Sequence, residues 1–282
     1  MRINQNISAL NSYRNLSNTN NVMGKSLEKL SSGFRINRAA DDAAGLVISQ
    51  GLRAQVSGLR QATRNAQDGI SVVQTAEGAL TEVHSMLNRI RDLAVQSANT
   101  GSMDGDAIDA AQAEVDELVA EIDRVATTTK FGQTELLDGS FNGNFQIGAN
   151  SGEVLSVSVT NMDAGALSLA TVAGTVAGGD RTVDSTIDLT DAAAALTTID
   201  AAIGSVSSER GTLGATQNRF ESTINNLQVT TENLAASESR IRDTDMALEM
   251  VSFTRHQILT QAGTAMLGQA NQLPQGVLRL LG

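Results

Sequence analysis

Residues that could carry out catalysis or bind metal are few and poorly spaced in this 282-residue chain. There is no cysteine, and the only histidines, His84 and His256, stand outside any HExxH pattern or Ser-His-Asp order. Thiolate chemistry and cysteine-based zinc sites are therefore excluded. We interpret the histidines as surface or helix-seam residues, and we predict no enzyme activity, no cofactor and no metal site.

Two acidic clusters are the other candidates for chemistry. Asp104, Asp106 and Asp109 have the wrong spacing for a calcium loop, and a bidentate Glu at its twelfth position is lacking. The start of a capped helix explains this cluster better. Asp41 and Asp42 are neighbours that could work as paired carboxylates in acid–base catalysis.

The composition favours thin, closely packed helices over a ligand pocket. Aromatic residues make up only 2% of the chain while apolar residues make up 41%, so small and aliphatic side chains dominate. A net charge of −11 disfavours nucleic-acid binding. The uncharged stretch 164–179 is short and Gly-rich, so we expect no membrane insertion, and the first residues lack the apolar core of a secretory signal.

The strongest periodic pattern lies towards the C-terminus. Apolar residues recur at intervals of seven at Ile199, Val206, Leu213, Phe220, Leu227, Leu234, Ile241 and Leu248. This spacing predicts a long coiled-coil helix, and the mostly polar companion positions predict that another element completes its seam. The stripe resumes at Leu259, Met266, Leu273 and Leu280 after a step of eleven, which predicts a junction between Leu248 and Leu259.

Two further seams alternate by threes and fours, one from Val56 to Ala94 and one from Ile108 to Val125. Thr100 and Gly101 lie between them and predict a break that lets the two helices run antiparallel. Three long helices with open seams can close on one another, so we predict a helical rod.

The remaining segments are an N-terminal stripe and a short β region. The stripe contains Ile3, Ile7, Leu10, Leu16, Met23, Leu27 and Leu30, but seven of the first 21 residues are Asn, so its order should depend on packing against a partner. Asn142-Gly143 predicts a hairpin turn and residues 154–160 alternate as a strand. Residues 171–198 are predicted to form a short exposed lobe or loop.

Several motifs in this order are similar to those of bacterial flagellins, the subunits of the flagellar filament. They are Leu30–Asn37, Asp41–Gly45, Ile90–Asn99, Ser239–Asp245, Gln257–Gly263, Gln269–Gln272, Pro274–Gln275 and Val277–Leu281. Only about residues 165–200 fall outside the resemblance, where many flagellins carry large outer domains. Within the motif Asp41 and Asp42 are interpreted as structural residues.

The resemblance implies a mainly α fold in which helices from both termini pair as a coiled coil. Residues 1–44 with 243–282 would form a discontinuous inner coiled-coil layer. Residues 45–170 with 199–242 would form a rod-like bundle with a small β-hairpin, and no large outer domain is expected. The implied function is a secreted, extracellular structural protein that is exported unfolded and self-assembles into the helical filament used for motility.

The resemblance also implies sites and partners. Self-assembly would use the apolar terminal residues Ile3, Ile7, Leu10, Leu16, Met23, Leu27, Leu30, Leu259, Met266, Leu273, Val277 and Leu280. A host Toll-like receptor would recognise Arg89, Leu93, Gln96 and Glu114, although these residues could equally be bundle contacts, and a cytosolic sensor would read Leu278, Leu280 and Leu281. The implied partners are the chain itself, hook-filament junction proteins, a filament cap protein and a secretion chaperone. The alternative is a hook-filament junction protein with flagellin-like termini.

Overall fold

A computed structural model describes residues 6–99, 101, 103–173 and 182–281, with the side chains of 172, 173, 182 and 273–281 outside that description. Five long helices dominate the described residues, and the predicted mainly α fold is confirmed. The helices are α1 Ile7–Ser32, α2 Ala43–Ser97, α3 Gly105–Thr128, α4 Ala192–Arg242 and α5 Met246–Leu281. The strands are β1 Lys130–Phe131, β2 Thr134–Glu135, β3 Asn142–Gln146, β4 Val154–Ser158, β5 Ala170–Ala173 and β6 Thr182–Ser185. They form three antiparallel pairs in sequence order.

The chain divides into two compact units, and the division falls within α2 and within α4. Residues 57–231 form one, called here the bundle unit, and residues 1–56 with 232–282 form the other, called the terminal unit. The sequence predicts the boundaries between layers after residue 44 and before residue 243 instead, close to the starts of α2 and α5.

The bundle unit is built on the predicted seams. From Leu59 to Ala94 every predicted seam residue of α2 is buried except Ile70, which is half-buried. α4 runs antiparallel to α2, since Arg91 Nε lies 2.8 Å from Asp200 Oδ1 while Glu77 and Arg210 approach to 4.0 Å. The buried stripe of α4 runs from Ile199 to Leu227.

The β hairpin turns at a different place from the one predicted. β4 confirms the predicted strand, but Asn142 and Gly143 lie inside β3, where Gly143 pairs with Val157. A tight Asn-Gly turn needs positive φ angles at its central residues. Between β3 and β4 the residue with a positive φ is Gly152, at 91°. The turn prediction is therefore wrong. Gly143 instead makes room for an aromatic ring, since a Cβ atom there would lie 2.7 Å from Phe141 Cζ.

The segment predicted to be exposed contains buried residues. Residues 174–181 lie outside the described residues, but Ile187 and Leu189 are buried, and α4 already begins at Ala192. Gln112 of α3 holds this segment, because its Nε2 donates to Ile187 O at 2.7 Å and its Oε1 accepts from Leu189 N at 3.0 Å.

The break between the last two helices lies before Leu248. α4 ends at Arg242 and α5 starts at Met246, so the predicted junction between Leu248 and Leu259 is wrong. The cause is a cap that heptad counting does not detect. Asp245 Oδ1 accepts from Ala247 N at 3.0 Å and from Leu248 N at 3.1 Å, which starts a new helix there.

Candidate assembly surface

Helices α1 and α5 pack antiparallel in the terminal unit. Three contacts record the pairing: Asn6 Nδ2 donates to Ala270 O at 2.7 Å, Thr260 Oγ1 donates to Asn20 Oδ1 at 3.3 Å, and Lys29 Nζ lies 3.9 Å from Glu249 Oε2. A Cβ atom added at Gly263 would lie 3.2 Å from Leu16 Cδ1, so the small residue allows a close approach. Helices from the two ends of the chain therefore lie side by side.

The family motifs Leu30–Asn37 and Ser239–Asp245 bind each other at the end of this pair. Gly33 ends α1 in the left-handed conformation at φ 75°, and its carbonyl accepts from Thr244 N at 2.9 Å. Arg35 N donates to Arg242 O at 2.6 Å, and the Arg242 guanidinium lies 4.3 Å from the centre of the Phe34 ring. These bonds fix the positions at which α1 and α4 end.

Asp41 and Asp42 bind backbone amides, in agreement with their structural interpretation. Asp41 Oδ2 accepts from Arg38 N at 3.0 Å and from Asn37 N at 3.2 Å. These bonds, that from Arg38 foremost, lower the pKa of Asp41 below its ordinary value. Asp42 Oδ1 accepts from Gly45 N at 2.9 Å at the start of α2. Asp104 likewise caps α3, accepting from Ala107 N, as predicted.

The terminal unit exposes many of the large apolar side chains that the structure describes in it. Among the residues whose exposure is described it has fourteen such side chains, seven from each end of the chain, whereas the bundle unit has four. The fourteen are Ile7, Leu10, Tyr13, Val22, Leu27, Val47, Ile48, Met246, Leu248, Met250, Val251, Ile258, Leu259 and Met266. Such a concentration of exposed apolar side chains in one unit points to an interaction site.

The predicted assembly residues fall into three groups. Ile7, Leu10, Leu27, Leu259 and Met266 are exposed, while Leu16, Met23 and Leu30 are half-buried. Ile3 and the side chains of Leu273, Val277 and Leu280 lie outside the described residues.

Sequence reasoning missed several members of this surface. Val47, Ile48, Met250 and Val251 are exposed as well. They form adjacent apolar pairs, and two neighbours on a helix cannot both face one seam. That signal could have revealed them.

The residues matched to receptor recognition lie in the bundle unit. Arg89 Nη2 forms an exposed ion pair with Glu114 Oε1 at 2.7 Å, and Gln96 Nε2 lies 3.9 Å from Met103 Sδ. Leu93 is only 4% exposed and belongs to the core. The structure thus brings Arg89 and Glu114 together at the surface and turns Leu93 inward. The side chains of Leu278, Leu280 and Leu281 lie outside the described residues.

Within the described ranges, no group of three or more His, Cys, Asp or Glu residues is arranged to hold a metal ion. In the same ranges no helix is long and apolar enough to span a membrane. Exposed apolar side chains on a pair of helices are typical of a protein that interacts with other macromolecules.

The comparisons with known proteins identify which structural protein this is. Residues 3–142 match the model of the bacterial flagellin N-terminal helical region, and residues 196–281 match that of the C-terminal helical region. The chain is 51% identical to a flagellin of Halalkalibacterium halodurans and 50% identical to a flagellin of Bacillus subtilis, in both cases over 100% of each chain. The chain belongs to the bacterial flagellin family.

A solved structure shows the same fold. A putative flagellar hook-associated protein from Vibrio parahaemolyticus is 16% identical with a TM-score of 0.52, and the match covers 72% of this chain and 100% of that one. Flagellins are structural proteins, not enzymes, and they form the extracellular flagellar filament. The full-length relatives support a filament subunit as the identity of this chain.

Proposed function

We propose that the chain polymerises into the flagellar filament through its terminal unit. The observation that carries this proposal is the concentration of fourteen exposed large apolar side chains in that unit. A filament needs one surface of a subunit to bind a different surface of the next, without closing into a ring. The apolar surface has contributions from both ends of the chain, so it offers two such surfaces.

The free energy of burying these side chains on assembly is large enough to offset the conformational entropy lost when the terminal helices become ordered. Burying one large aliphatic side chain contributes roughly 1.5–3 kcal/mol. The fourteen side chains together can outweigh the entropy lost when the Asn-rich α1 becomes fixed. Assembly is then coupled to folding of the terminal helices.

The layers and partners follow from this proposal and from the family resemblance. Residues 1–44 with 243–282 form the inner coiled-coil layer, and residues 45–170 with 199–242 form the rod. The filament so built is the propeller for motility. Before assembly the exposed apolar helices need a secretion chaperone and export in an unfolded state, while a cap protein and hook-filament junction proteins bind the ends of the filament.

Two valines of nearly equal exposure give a sharp test. Val251 in the terminal unit is 60% exposed and Val229 in the bundle unit is 59% exposed, both within helices. We expect Val251→Ser to slow seeded filament elongation about tenfold, because about 1.4 kcal/mol of apolar burial is lost. Val229→Ser should elongate at the wild-type rate.

Elongation is followed by light scattering, with electron microscopy of the products. Equal rates for the two variants would contradict assembly through the terminal unit. Removal of residues 259–282 should leave a soluble protein that does not polymerise. Short rings from the wild-type chain, in place of long filaments, would favour the junction-protein alternative.

A second proposal concerns host recognition by the bundle unit. The exposed Arg89–Glu114 ion pair is the surface that supports Toll-like receptor binding, and Gln96 is the third residue of the set. Leu93 acts indirectly, because it is buried beneath this surface. The cytosolic sensor would read Leu278, Leu280 and Leu281.

A matched ion pair provides the control for receptor recognition. Arg124 and Glu121 are exposed to almost the same degree as Arg89 and Glu114. In reporter cells that carry the receptor, Arg89→Ala should reduce signalling about tenfold by loss of a desolvated charge contact, whereas Arg124→Ala should not. Equal responses from the two variants would count against this site.

A further inference from the structure

Among the methionines whose exposure is described, the exposed ones all lie in α5. Met246, Met250 and Met266 are 47%, 51% and 63% exposed. Met162 of the bundle unit is 4% exposed, and the other described methionines, Met23, Met86 and Met103, are half-buried. Within that described set, the methionines exposed to solvent therefore lie on one helix of the proposed assembly surface.

The three side chains occupy two faces of that helix. Met246 and Met250 are four residues apart and share one face. Met250 also lines a shallow apolar groove with Val251 and Ile258. Met266 follows Leu259 by seven residues, so these two lie on a common second face. Each of the three methionines thus has further exposed apolar side chains on the same helix.

We propose that Met246, Met250 and Met266 form an oxidation-sensitive modification site through which peroxide blocks assembly. This inference rests on the proposed function of the terminal unit. Hydrogen peroxide transfers one oxygen to the thioether: the O–O bond breaks, an S–O bond forms, the sulfur loses two electrons and the peroxide is reduced to water. The product is a polar sulfoxide in place of a flexible apolar side chain.

Oxidation at these positions reports whether the chain is assembled. In the monomer the three methionine residues are exposed to solvent. In the filament the neighbouring subunits cover them, so the reaction slows. A sulfoxide formed before assembly places a polar group in an interface that would otherwise be apolar, and such a group costs free energy unless it is hydrogen-bonded.

The test treats full-length monomer with hydrogen peroxide and maps sulfoxides by peptide mass spectrometry. We expect the three positions to react at least about tenfold faster than Met162, which is the internal control for burial. The oxidised monomer should elongate filament seeds at least about tenfold more slowly than untreated monomer. Methionine sulfoxide reductase should restore the rate.

The variant M246L/M250L/M266L is the matched control, because leucine nearly conserves volume and has no sulfur. It should elongate at the wild-type rate both before and after peroxide. Loss of elongation in the treated triple variant would overturn the inference. So would normal elongation of wild-type chains that carry sulfoxide at all three positions. Untreated wild-type monomer that fails to elongate would instead overturn the proposed function, which separates the two failures.

Discussion

The two units both consist largely of helices with apolar stripes, but they differ in how deeply those stripes are buried. The bundle unit contains a continuous core that extends from Ala66 to Phe220. In the terminal unit the buried apolar residues, among those described, are Ile36, Val56 and Ala270. The bundle unit therefore has a core of its own, while the terminal unit exposes many of its described apolar side chains. The comparison separates the buried residues that stabilise the monomer from the exposed residues that we propose for assembly.

One heptad stripe shows this difference along a single sequence pattern. Its members from Ile199 to Leu227 are buried, and all of them lie in the bundle unit. In the terminal unit Leu234 and Ile241 are half-buried, and Leu248 is 69% exposed. The spacing of seven persists throughout, so the pattern marks apolar positions without saying which molecule covers them.

The largest expected change in stability comes from comparing substitutions at two positions of this stripe. Phe220→Ala should lower the free energy of unfolding of the bundle unit by about 3–5 kcal/mol, because it empties a fully buried site. It also removes the edge-to-face contact with Phe145, whose ring centre lies 5.5 Å away. Leu248→Ala should change monomer stability by less than about 0.5 kcal/mol. Urea denaturation of the monomers measures the free energy of unfolding of both variants. Similar decreases in the two variants would contradict the distinction between the units.

The next effect tests how tightly the bundle unit is packed. A Cβ atom at Gly69 would lie 2.6 Å from Phe220 Cζ, whereas one at Gly78 on the same helix would meet nothing within 4 Å. We expect Gly69→Ala to destabilise the bundle unit by about 1–3 kcal/mol through overpacking. Gly78→Ala should stabilise it by up to about 1 kcal/mol through better helix propensity. Thermal unfolding followed by circular dichroism gives both signs, and a stabilising Gly69→Ala would show a looser core.

The matching pair in the terminal unit should behave differently. A Cβ atom at Gly263 would lie 3.2 Å from the half-buried Leu16, and one at Gly268 would meet nothing within 4 Å. Because Leu16 can move in this open seam, both Gly→Ala changes should stabilise α5 by up to about 1 kcal/mol. Amide exchange along α1 and α5 in dilute monomer measures this. Faster exchange in Gly263→Ala alone would reveal a terminal pair packed as tightly as the bundle.

Much of the bundle could be predicted because helix period and apolar spacing together determine which side chains face inward. The seam of α3 shows the precision of that argument. Leu118 and Val125 were expected inside, but they are half-buried while their neighbours Val119 and Ala126 are buried. A helix at 100° per residue presents either neighbour to a broad core, so the sequence alone leaves this ambiguity.

The errors arose where single side chains bind the backbone. The start of α5 depends on the Asp245 cap, and the positions of the buried Ile187 and Leu189 depend on Gln112. The hydrogen bonds of these two side chains produce no periodic pattern in the sequence. In the candidate site the apolar character of α1 and α5 was predictable, whereas the extent of exposure was not, because apolar spacing alone does not determine whether the same chain covers a side chain.

The smallest expected effect concerns the turn between α1 and α2 in the terminal unit. Amides of Arg38 and Asn37 donate to the Asp41 carboxylate and lower its pKa. A group whose folded pKa is lowered contributes stability that is present above its unfolded pKa and is lost as the pH falls through the folded value. Exchange at these two amides should therefore be slow near neutral pH, and their protection should decline at acid pH below the ordinary titration range of an aspartate.

Asp41→Asn should weaken protection at neutral pH and remove most of its acid dependence, while Asp92→Asn in the bundle unit leaves both amides unchanged. Amide-exchange NMR, corrected for intrinsic rates, measures these differences, and identical pH profiles for Asp41→Asn and wild type would show that the backbone alone holds this turn.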